Sequence, residues 1–427
     1  MYFSTNSLTA KRRFPSSLAC GEFLPPVLSL DTTNRCNVFC IMCDRAQRAR
    51  KLSQKSQSTW LTVDKVKKDF EGIKRIRSAV LSAGHGEPFL NRDLMEIISF
   101  LKSRKAFVEV ISNGTLLTRN VLEKIINVGL DRIYISLHGA RSNTAETIME
   151  KSNFNKIVSS LQELKAMKRE VPSELPLLEI LFVAMKRNIK ELSQMVALAS
   201  EVGASAVNIQ SLNERQQEGL VELKGESLIW HPELFQKEYE KAMIASQKYK
   251  IHLNVNPPYS SMISKNEPSM SSNFSEAMPT VKVPEGETRY CIFPFVKPFI
   301  ELNGDIRLCC SSQGRYVRMG NVSPDGFTFV WNSDEYTNIR RALLTGRDLP
   351  PYCVECDRAP VVEPFVMQMD IALRQNISSD NKEAWNFVRY NKRRYGEYVR
   401  RMASINAVAQ PYRRRTKWML WQRKMND

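Results

Sequence analysis

Between Val27 and Leu212 short apolar runs alternate with amphipathic stretches, and this alternation restricts the fold more than any other feature of the chain. The runs are Val27–Asp31, Ala79–Ala83, Phe107–Ser112, Arg132–Leu137, Leu177–Ala184 and Ala206–Gln210, each of strand length. Helix-like segments lie near 64–76, 91–104, 118–128, 154–169 and 188–201. Thr118 and Asn188 stand where N-caps are expected, and Gly129 and Gly203 stand where a helix ends ahead of a strand. Six such repeats imply parallel strands joined by helical crossovers, because a parallel connection needs a dozen or more residues. A doubly wound sheet and a barrel satisfy this pattern equally. A longer helix over 231–249 and a strand-like Ile251–Val255 complete the first region, 26–255. From 256 to 287 the chain is rich in Pro, Ser, Asn and Met without a period, which reads as a linker or mobile loop. An ordered unit over 288–358 and an extension over 359–427 follow, and no repeat of solenoid period is present.

Directly after the first run comes C-N-V-F-C-I-M-C, which spaces Cys36, Cys40 and Cys43 as C-x3-C-x2-C. A 4Fe–4S cluster normally takes four thiolates, so a loop that supplies three leaves one iron open to an outside ligand. Structural zinc favours C-x2-C pairs completed by a nearby His or Cys, and the nearest histidine, His85, is remote in sequence. An odd trio of thiols does not make a disulfide framework. A second set, Cys291, Cys309, Cys353 and Cys356, can close a four-iron site completely or hold a structural zinc. Cys310 beside Cys309 is a spare thiol or an alternative ligand, and Cys20 has no partner nearby in sequence.

Further motifs sit at the ends of the runs. A-G-H-G-E-P over 83–88 places two glycines for a tight turn and a stiffening Pro88 after the second strand. The third strand ends in S-N-G at Ser112, Asn113 and Gly114, and the fourth in S-L-H-G from Ser136 to Gly139. F-I-E-L-N-G-D-I-R-L-C-C holds two β runs about an Asn-Gly turn, a strong hairpin signal, and M-G-N-V and P-P-Y-C-V-E-C follow. Together these motifs resemble the radical S-adenosylmethionine (SAM) superfamily with a C-terminal SPASM/twitch-type iron–sulfur extension, over residues 26 to 358.

The resemblance implies an α/β fold: a partial (β/α)6 TIM barrel, then a small twitch-like hairpin and helix domain, then a basic C-terminal tail. It implies a 4Fe–4S cluster on Cys36, Cys40 and Cys43 whose open iron chelates SAM. Reductive cleavage of that SAM gives a 5′-deoxyadenosyl radical that abstracts hydrogen from a substrate. Gly86, Glu87 and Pro88 match the family's G-G-E-P motif, in which the amino group of SAM is held, with His85 in place of a glycine. Ser112, Asn113 and Ser136 match strand-end positions that meet the ribose or carboxylate of SAM, with His138 where Asp is common. Arg187, or its neighbour Lys186, stands where a cation would pair with the SAM carboxylate, and Gln210 ends the sixth strand towards substrate or adenine. Cys291, Cys309, Cys353 and Cys356 would hold one auxiliary 4Fe–4S cluster, since no cysteine follows Cys356 to build a second. A low-potential donor such as a flavodoxin or ferredoxin is the implied electron source. No residue is singled out as the acid or base.

At 427 residues and 43% apolar content the chain can bury a large core and a satellite domain. It lacks an apolar run long enough for a membrane span and an apolar N-terminal segment of signal-peptide length, so a cytoplasmic enzyme with reduced thiols is expected. The net charge of +17 is concentrated at the end: from Arg389 onward twelve Lys and Arg face only Glu397 and Asp427, a net +10. Such a tail is a solvated helical segment or a dock for an acidic partner. Three functions compete. The first is oxidation or epimerisation of a small molecule, such as a carbohydrate or aminocyclitol, with the auxiliary cluster accepting an electron. The second is maturation of a peptide or protein, with the basic tail gripping an acidic leader. The third is an iron–sulfur carrier without catalysis, which would not need the intact G-E-P and strand-end polar residues.

Overall fold

In the computed structural model the described residues are 27–43, 60–81, 86–171, 174–212, 223, 225–255, 283–309, 317–354, 356, 361–379, 387–388 and 391. The chain divides into two compact units, one of residues 25–262 with 296–330, the other of 263–295 with 331–427 and the first 24 residues.

The first unit is built on six parallel strands in sequence order: β1 (Leu28–Leu30), β2 (Ser78–Leu81), β3 (Phe107–Ser112), β4 (Arg132–Ser136), β5 (Leu177–Ala184) and β6 (Ala206–Ser211). The intervening helices are α1 (Val63–Asp69), α2 (Leu94–Ser103), α3 (Arg119–Asn127), α4 (Ser142–Ile148), α5 (Phe154–Glu170) and α6 (Leu192–Glu201). After α7 (Pro232–Tyr249), β7 (His252–Val255) pairs parallel with β6. On the opposite edge β8 (Phe299–Ile300) pairs parallel with β1, and β9 (Asp305–Arg307) and β10 (Arg318–Asn321) extend it antiparallel. The result is a ten-stranded, largely parallel sheet ordered β10-β9-β8-β1-β2-β3-β4-β5-β6-β7. This is the expected partial barrel, with a further parallel strand at one edge and the Asn303–Gly304 hairpin joined to the other.

The period of two along each strand separates two faces. Val108, Val110, Ile133, Ile135, Leu178, Ile180, Val207 and Ile209 are almost wholly buried, as are Ile97, Leu101, Leu122, Ile157, Leu161 and Val196 of the helices. The alternate residues form a polar layer. Arg132 Nη1 donates to Glu109 Oε1 at 2.8 Å, and its Nε lies 3.1 Å from Glu179 Oε1. Asn208 Nδ2 donates to Glu179 Oε2 at 2.9 Å, and Asn254 Nδ2 to Asn208 Oδ1 at 3.0 Å. The layer therefore crosses five neighbouring strands, and each buried charge in it has an opposite partner.

Local signals explain most helix ends. Thr118 caps α3 by accepting from Val121 N, and Gly129 and Gly203 take the left-handed conformation, φ +70° and +79°, that glycine supplies after a helix. Asn188 departs from the expected capping role. Its side chain makes no cap hydrogen bond, a 3-10 turn over Ile189–Glu191 precedes α6, and the amide serves other groups described below.

In the second unit Thr288–Arg289 pairs antiparallel with Val361–Val362. A helix over Asp334–Thr345 (α8), capped by Ser333 and ended by Gly346 at φ +70°, packs against a helix over Pro364–Ser379 (α9). Gln368 of α9 donates to Leu344 O at 2.7 Å, and Tyr290 donates to Asp370 Oδ2 at 3.0 Å. Arg340 is fully buried against the rings of Trp331 and Tyr336, with Nε donating to Pro294 O and Nη2 to Trp331 O. Among the described residues no helix is long and apolar enough to cross a membrane.

Candidate active site

The cysteine loop leaves the end of β1 and is clamped by a segment far away in sequence. Phe39–Cys40 pairs antiparallel with Met149–Glu150 beyond α4, and Ile41 N donates to Ile148 O at 3.0 Å. Ile41 is seated among Ile148, Met149, Met185, Leu212 and Leu223, while Lys151 Nζ lies 4.4 Å from the centre of the Phe39 ring. These contacts bury one side of the loop and leave Cys36, Cys40 and Cys43 partly accessible. The Cys40 thiol is pushed well above the usual range, first by burial and then by the neighbouring Cys43 and Cys36. Three clustered thiols are mutually repulsive as thiolates, and iron is the positive charge that makes them favourable. Among the described residues no three His, Cys, Asp or Glu side chains converge on a single metal ion. A four-iron cluster asks for a different arrangement, one thiolate to each of three irons, and the donor set of this loop fits it.

The ends of β2 and β3 meet this loop. Gly86 passes so close to it that an added Cβ would press on Thr33 O and lie 2.8 Å from Arg35 O, so only glycine fits. Glu87 N donates to Arg35 O at 2.7 Å, and Glu87 caps the 3-10 turn Pro88–Leu90 by accepting from Phe89 N at 3.2 Å. The Glu87 carboxylate is 1% exposed and turned inward. Its Oε1 accepts from Ser112 Oγ at 2.8 Å, and its Oε2 from Asn113 N at 2.7 Å. Burial raises its pKa from the ordinary 4.5 to about 7, against these hydrogen bonds, which pull it down. Asn113 in turn reaches the cysteine loop: its Nδ2 lies 3.6 Å from Cys36 Sγ and donates to Asn37 Oδ1 at 2.9 Å. Thr115 N donates back to Asn113 Oδ1 at 3.0 Å, and Asn37 Nδ2 donates to Thr115 Oγ1 at 2.7 Å. Gly86, Glu87, Pro88, Ser112, Asn113 and Cys36 thus form one connected cluster, with Glu87 joining the strand ends.

The other candidates lie at and just beyond the ends of β4 and β5. Ser136 ends β4, half-buried, opposite Leu181 of β5. His138 is buried with Nδ1 accepting from Val183 N at 3.1 Å, and burial alone lowers its pKa to about 4, so it is neutral. Asn188 holds this corner by donating to His138 O and Val183 O and accepting from Met185 N. The Arg187 guanidinium pairs with Glu226 at 3.2 Å, and its backbone N–H donates to the same carboxylate at 3.0 Å. Sequence reasoning missed Asn37, Glu226 and the clamp at Met149–Glu150. Asn37 adjoins a ligand cysteine and so carried a local signal, whereas the other two become neighbours only through the fold.

Of the second cysteine set, Cys291, Cys353 and Cys356 belong to the second unit and Cys309 to the first, just beyond β9. Cys353 N donates to Pro350 O at 2.8 Å and Cys356 N to Cys353 O at 3.3 Å, which forms the C-V-E-C turn. Cys20, His85 and Cys310 lie outside the described residues, as do the segment 256–282 and nearly all of the basic tail.

A parallel sheet of βα units whose strand ends gather around a three-cysteine loop defines an iron–sulfur enzyme of the partial-barrel class. The chain belongs to the radical SAM superfamily: residues 30–198 match that model, and residues 291–357 match the SPASM iron–sulfur cluster-binding domain. These two domains carry a 4Fe–4S cluster that works with SAM and an auxiliary cluster. The chain is 26% identical over 186 residues to an AdoMet-dependent heme synthase of Methanosarcina barkeri, 43% of this chain but only 50% of that protein's length. It is 22% identical over 349 residues to a tungsten-containing aldehyde ferredoxin oxidoreductase cofactor-modifying protein of Pyrococcus furiosus, 81% of this chain and 90% of that one. To a probable GTP 3′,8-cyclase of Methanocaldococcus jannaschii it is 23% identical over 336 residues, 77% and 93% of the two chains. Streptococcus suis SuiB bound to S-adenosylmethionine shares the fold at TM-score 0.57 and 16% identity, covering 78% of this chain and 72% of that one.

Proposed function

We propose that this radical SAM enzyme oxidises or epimerises a polar small molecule, a carbohydrate or aminocyclitol in kind, with the auxiliary cluster taking part in electron transfer. This reading is supported by the intact cluster of Glu87, Ser112, Asn113 and Cys36 at the strand ends, which a carrier does not need, and by the single set of auxiliary cysteines. Bound SAM and its cluster supply hydrogen-atom abstraction. Cys36, Cys40 and Cys43 hold that cluster; Gly86, Glu87 and Pro88, Ser112, Asn113, Ser136 and Arg187 shape the SAM site around it. Cys291, Cys309, Cys353 and Cys356 hold the auxiliary cluster, and a flavodoxin or ferredoxin delivers the electron. The divisions 26–255, 256–287, 288–358 and 359–427 are the working domains.

A second reading, maturation of a peptide with an acidic leader, is favoured by the net +10 of the last 39 residues. The test is substrate-dependent formation of 5′-deoxyadenosine by the anaerobically reconstituted, reduced enzyme. Sugars, aminocyclitols and acidic-leader peptides are supplied in parallel, and deuterium transfer into 5′-deoxyadenosine is read from labelled compounds. Transfer from a peptide and from no small molecule would discard the first reading.

A further inference from the structure

Asn37, Thr115 and Asn113 close a ring of hydrogen bonds beside the first cysteine of the loop. Asn113 Nδ2 donates to Asn37 Oδ1 at 2.9 Å, and Asn37 Nδ2 donates to Thr115 Oγ1 at 2.7 Å. Thr115 Oγ1 completes the ring by donating to Asn113 Oδ1 at 2.6 Å. Each side chain gives one hydrogen bond to the next, so the donors run in a single direction round the ring. That direction is set by Thr115 N, which can only donate and which meets Asn113 Oδ1 at 3.0 Å. The nitrogen of the Asn113 amide is thereby turned to the cysteine loop. The main chain is tied as well: Asn113 N donates to Glu87 Oε2 at 2.7 Å, and the residue is buried.

The ring and the Thr115 backbone occupy both lone pairs of Asn113 Oδ1 and one of its two side-chain N–H bonds. The second N–H has Cys36 Sγ as its acceptor, 3.6 Å from Nδ2. Sulfur accepts weakly as a thiol and better as the charged thiolate that ligates iron. An added electron increases the negative charge on a cluster and its thiolates. A donor on a ligand sulfur therefore stabilises the reduced state more than the oxidised one. We propose that Asn113 is a positioning residue for the first cluster: the ring with Asn37 and Thr115 aims a neutral N–H at the Cys36 sulfur and makes that cluster easier to reduce by one electron. The inference rests on Cys36 being a ligand, as proposed above.

Asn113→Ala, Thr115→Val and Thr115→Ser are compared in the full-length, anaerobically reconstituted chain. Iron content, thermal unfolding and a redox-poised electron paramagnetic resonance titration are read. The signal that changes on adding SAM marks the first cluster, and the auxiliary cluster is the internal reference. The expected result is a first-cluster midpoint more negative than the parent's in Asn113→Ala and Thr115→Val. The auxiliary midpoint should stay in place, and Thr115→Ser should return the parent's value. Loss of first-cluster iron in Asn113→Ala and Thr115→Val at unchanged unfolding, with Thr115→Ser retaining it, also supports the positioning role. Full iron with an unaltered first-cluster midpoint in Asn113→Ala overturns it, as does an equal shift of both midpoints. A shift in Asn113→Ala with none in Thr115→Val overturns the part given to the ring. Joint loss of iron and of the unfolding transition in all three variants would make the ring a fold feature alone. Cys36→Ala is the separate control: if it keeps the SAM-responsive signal, the ligand set is wrong and the inference falls with it.

Discussion

Glu87→Gln separates what the buried carboxylate does from the shape it fills. Folding raises the Glu87 pKa from 4.5 to about 7, with burial the dominant cause. A carboxyl that binds its proton more tightly when folded stabilises the fold fully below its unfolded pKa, and that contribution is lost as pH rises through about 7. At about 1.4 kcal/mol per pH unit the interval is worth roughly 3 kcal/mol. His138 opposes it. Burial lowers its pKa from 6.5 to about 4, so its contribution is present above 6.5 and lost as pH falls towards 4. Across the shared window the two slopes are of opposite sign and similar size, which hides both in the wild type. The difference between wild type and Glu87→Gln reveals one of them, because every other titration cancels.

Glutamine cannot ionise, and it offers one acceptor where the carboxylate serves Ser112, Asn113 and Phe89. Near pH 5 the variant should be less stable by about 1–2 kcal/mol, for a buried donor left facing an amide N–H. By about pH 8 that deficit should have shrunk or reversed, moving by most of the roughly 3 kcal/mol above. The assay is urea unfolding of the reconstituted chain followed by tryptophan fluorescence at a series of pH values. A stability difference that stays constant within about 0.5 kcal/mol from pH 5 to pH 8 would refute the account of Glu87 as a protonation-sensitive tie.

Replacing Cys36, Cys40 and Cys43 together by Ala should reduce bound iron from about eight to about four per chain and abolish 5′-deoxyadenosine formation, read by iron assay and chromatography. Gly86→Ala sets a methyl against the Thr33 and Arg35 carbonyls; a loss of about 1–3 kcal/mol in unfolding free energy, together with reduced iron at the first cluster, is expected. Glu87→Ala should weaken SAM binding by about tenfold to a hundredfold in calorimetry, because Asn113 loses the anchor of its main chain. Removing residues 389–427 should leave both clusters and uncoupled SAM cleavage intact while turnover on the true substrate falls. In the full-length protein that turnover should weaken with added salt, since exposed charges are screened beyond about 8–10 Å.

What the chain declares locally and what it hides differ in physical kind. Thr118, Gly129 and Gly203 mark helix ends because a cap or a positive φ is a property of one or two residues. The cysteine loop and G-E-P are contiguous for a similar reason: their groups must act within a single turn of backbone. The pairing of β8 with β1, and of Phe39–Cys40 with Met149–Glu150, joins segments far apart in sequence, and nothing in either short strand specifies its partner. Arg187 illustrates the cost of this. As a cation after a strand it suggests a carboxylate partner, and the fold sets Glu226 3.2 Å from its guanidinium, a neighbour that the sequence alone does not bring near.

The same distinction explains how a conventional sheet holds so exposed a loop. β2 and β3 are in register with Leu81 opposite Val110, so the turn beginning at Gly86 emerges beside Ser112 and Asn113. A shift of one residue would move Ser112 and Asn113 away from Glu87 and set Glu109 against the helices instead of Arg132. That register is held by the apolar face, by Val108 and Val110 beneath the helices, far more than by any group at the site. The cysteine loop then receives its orientation second-hand, from Asn113 through Asn37 and Cys36, and from Glu87 N through Arg35 O. Core substitutions in β3 should therefore disturb the first cluster without touching it. Val110→Ala, at a cost of about 2–3 kcal/mol, should broaden that cluster's paramagnetic spectrum while leaving the auxiliary signal sharp. Equal broadening of both signals would mean that general loosening, and not the strand register, governs the loop.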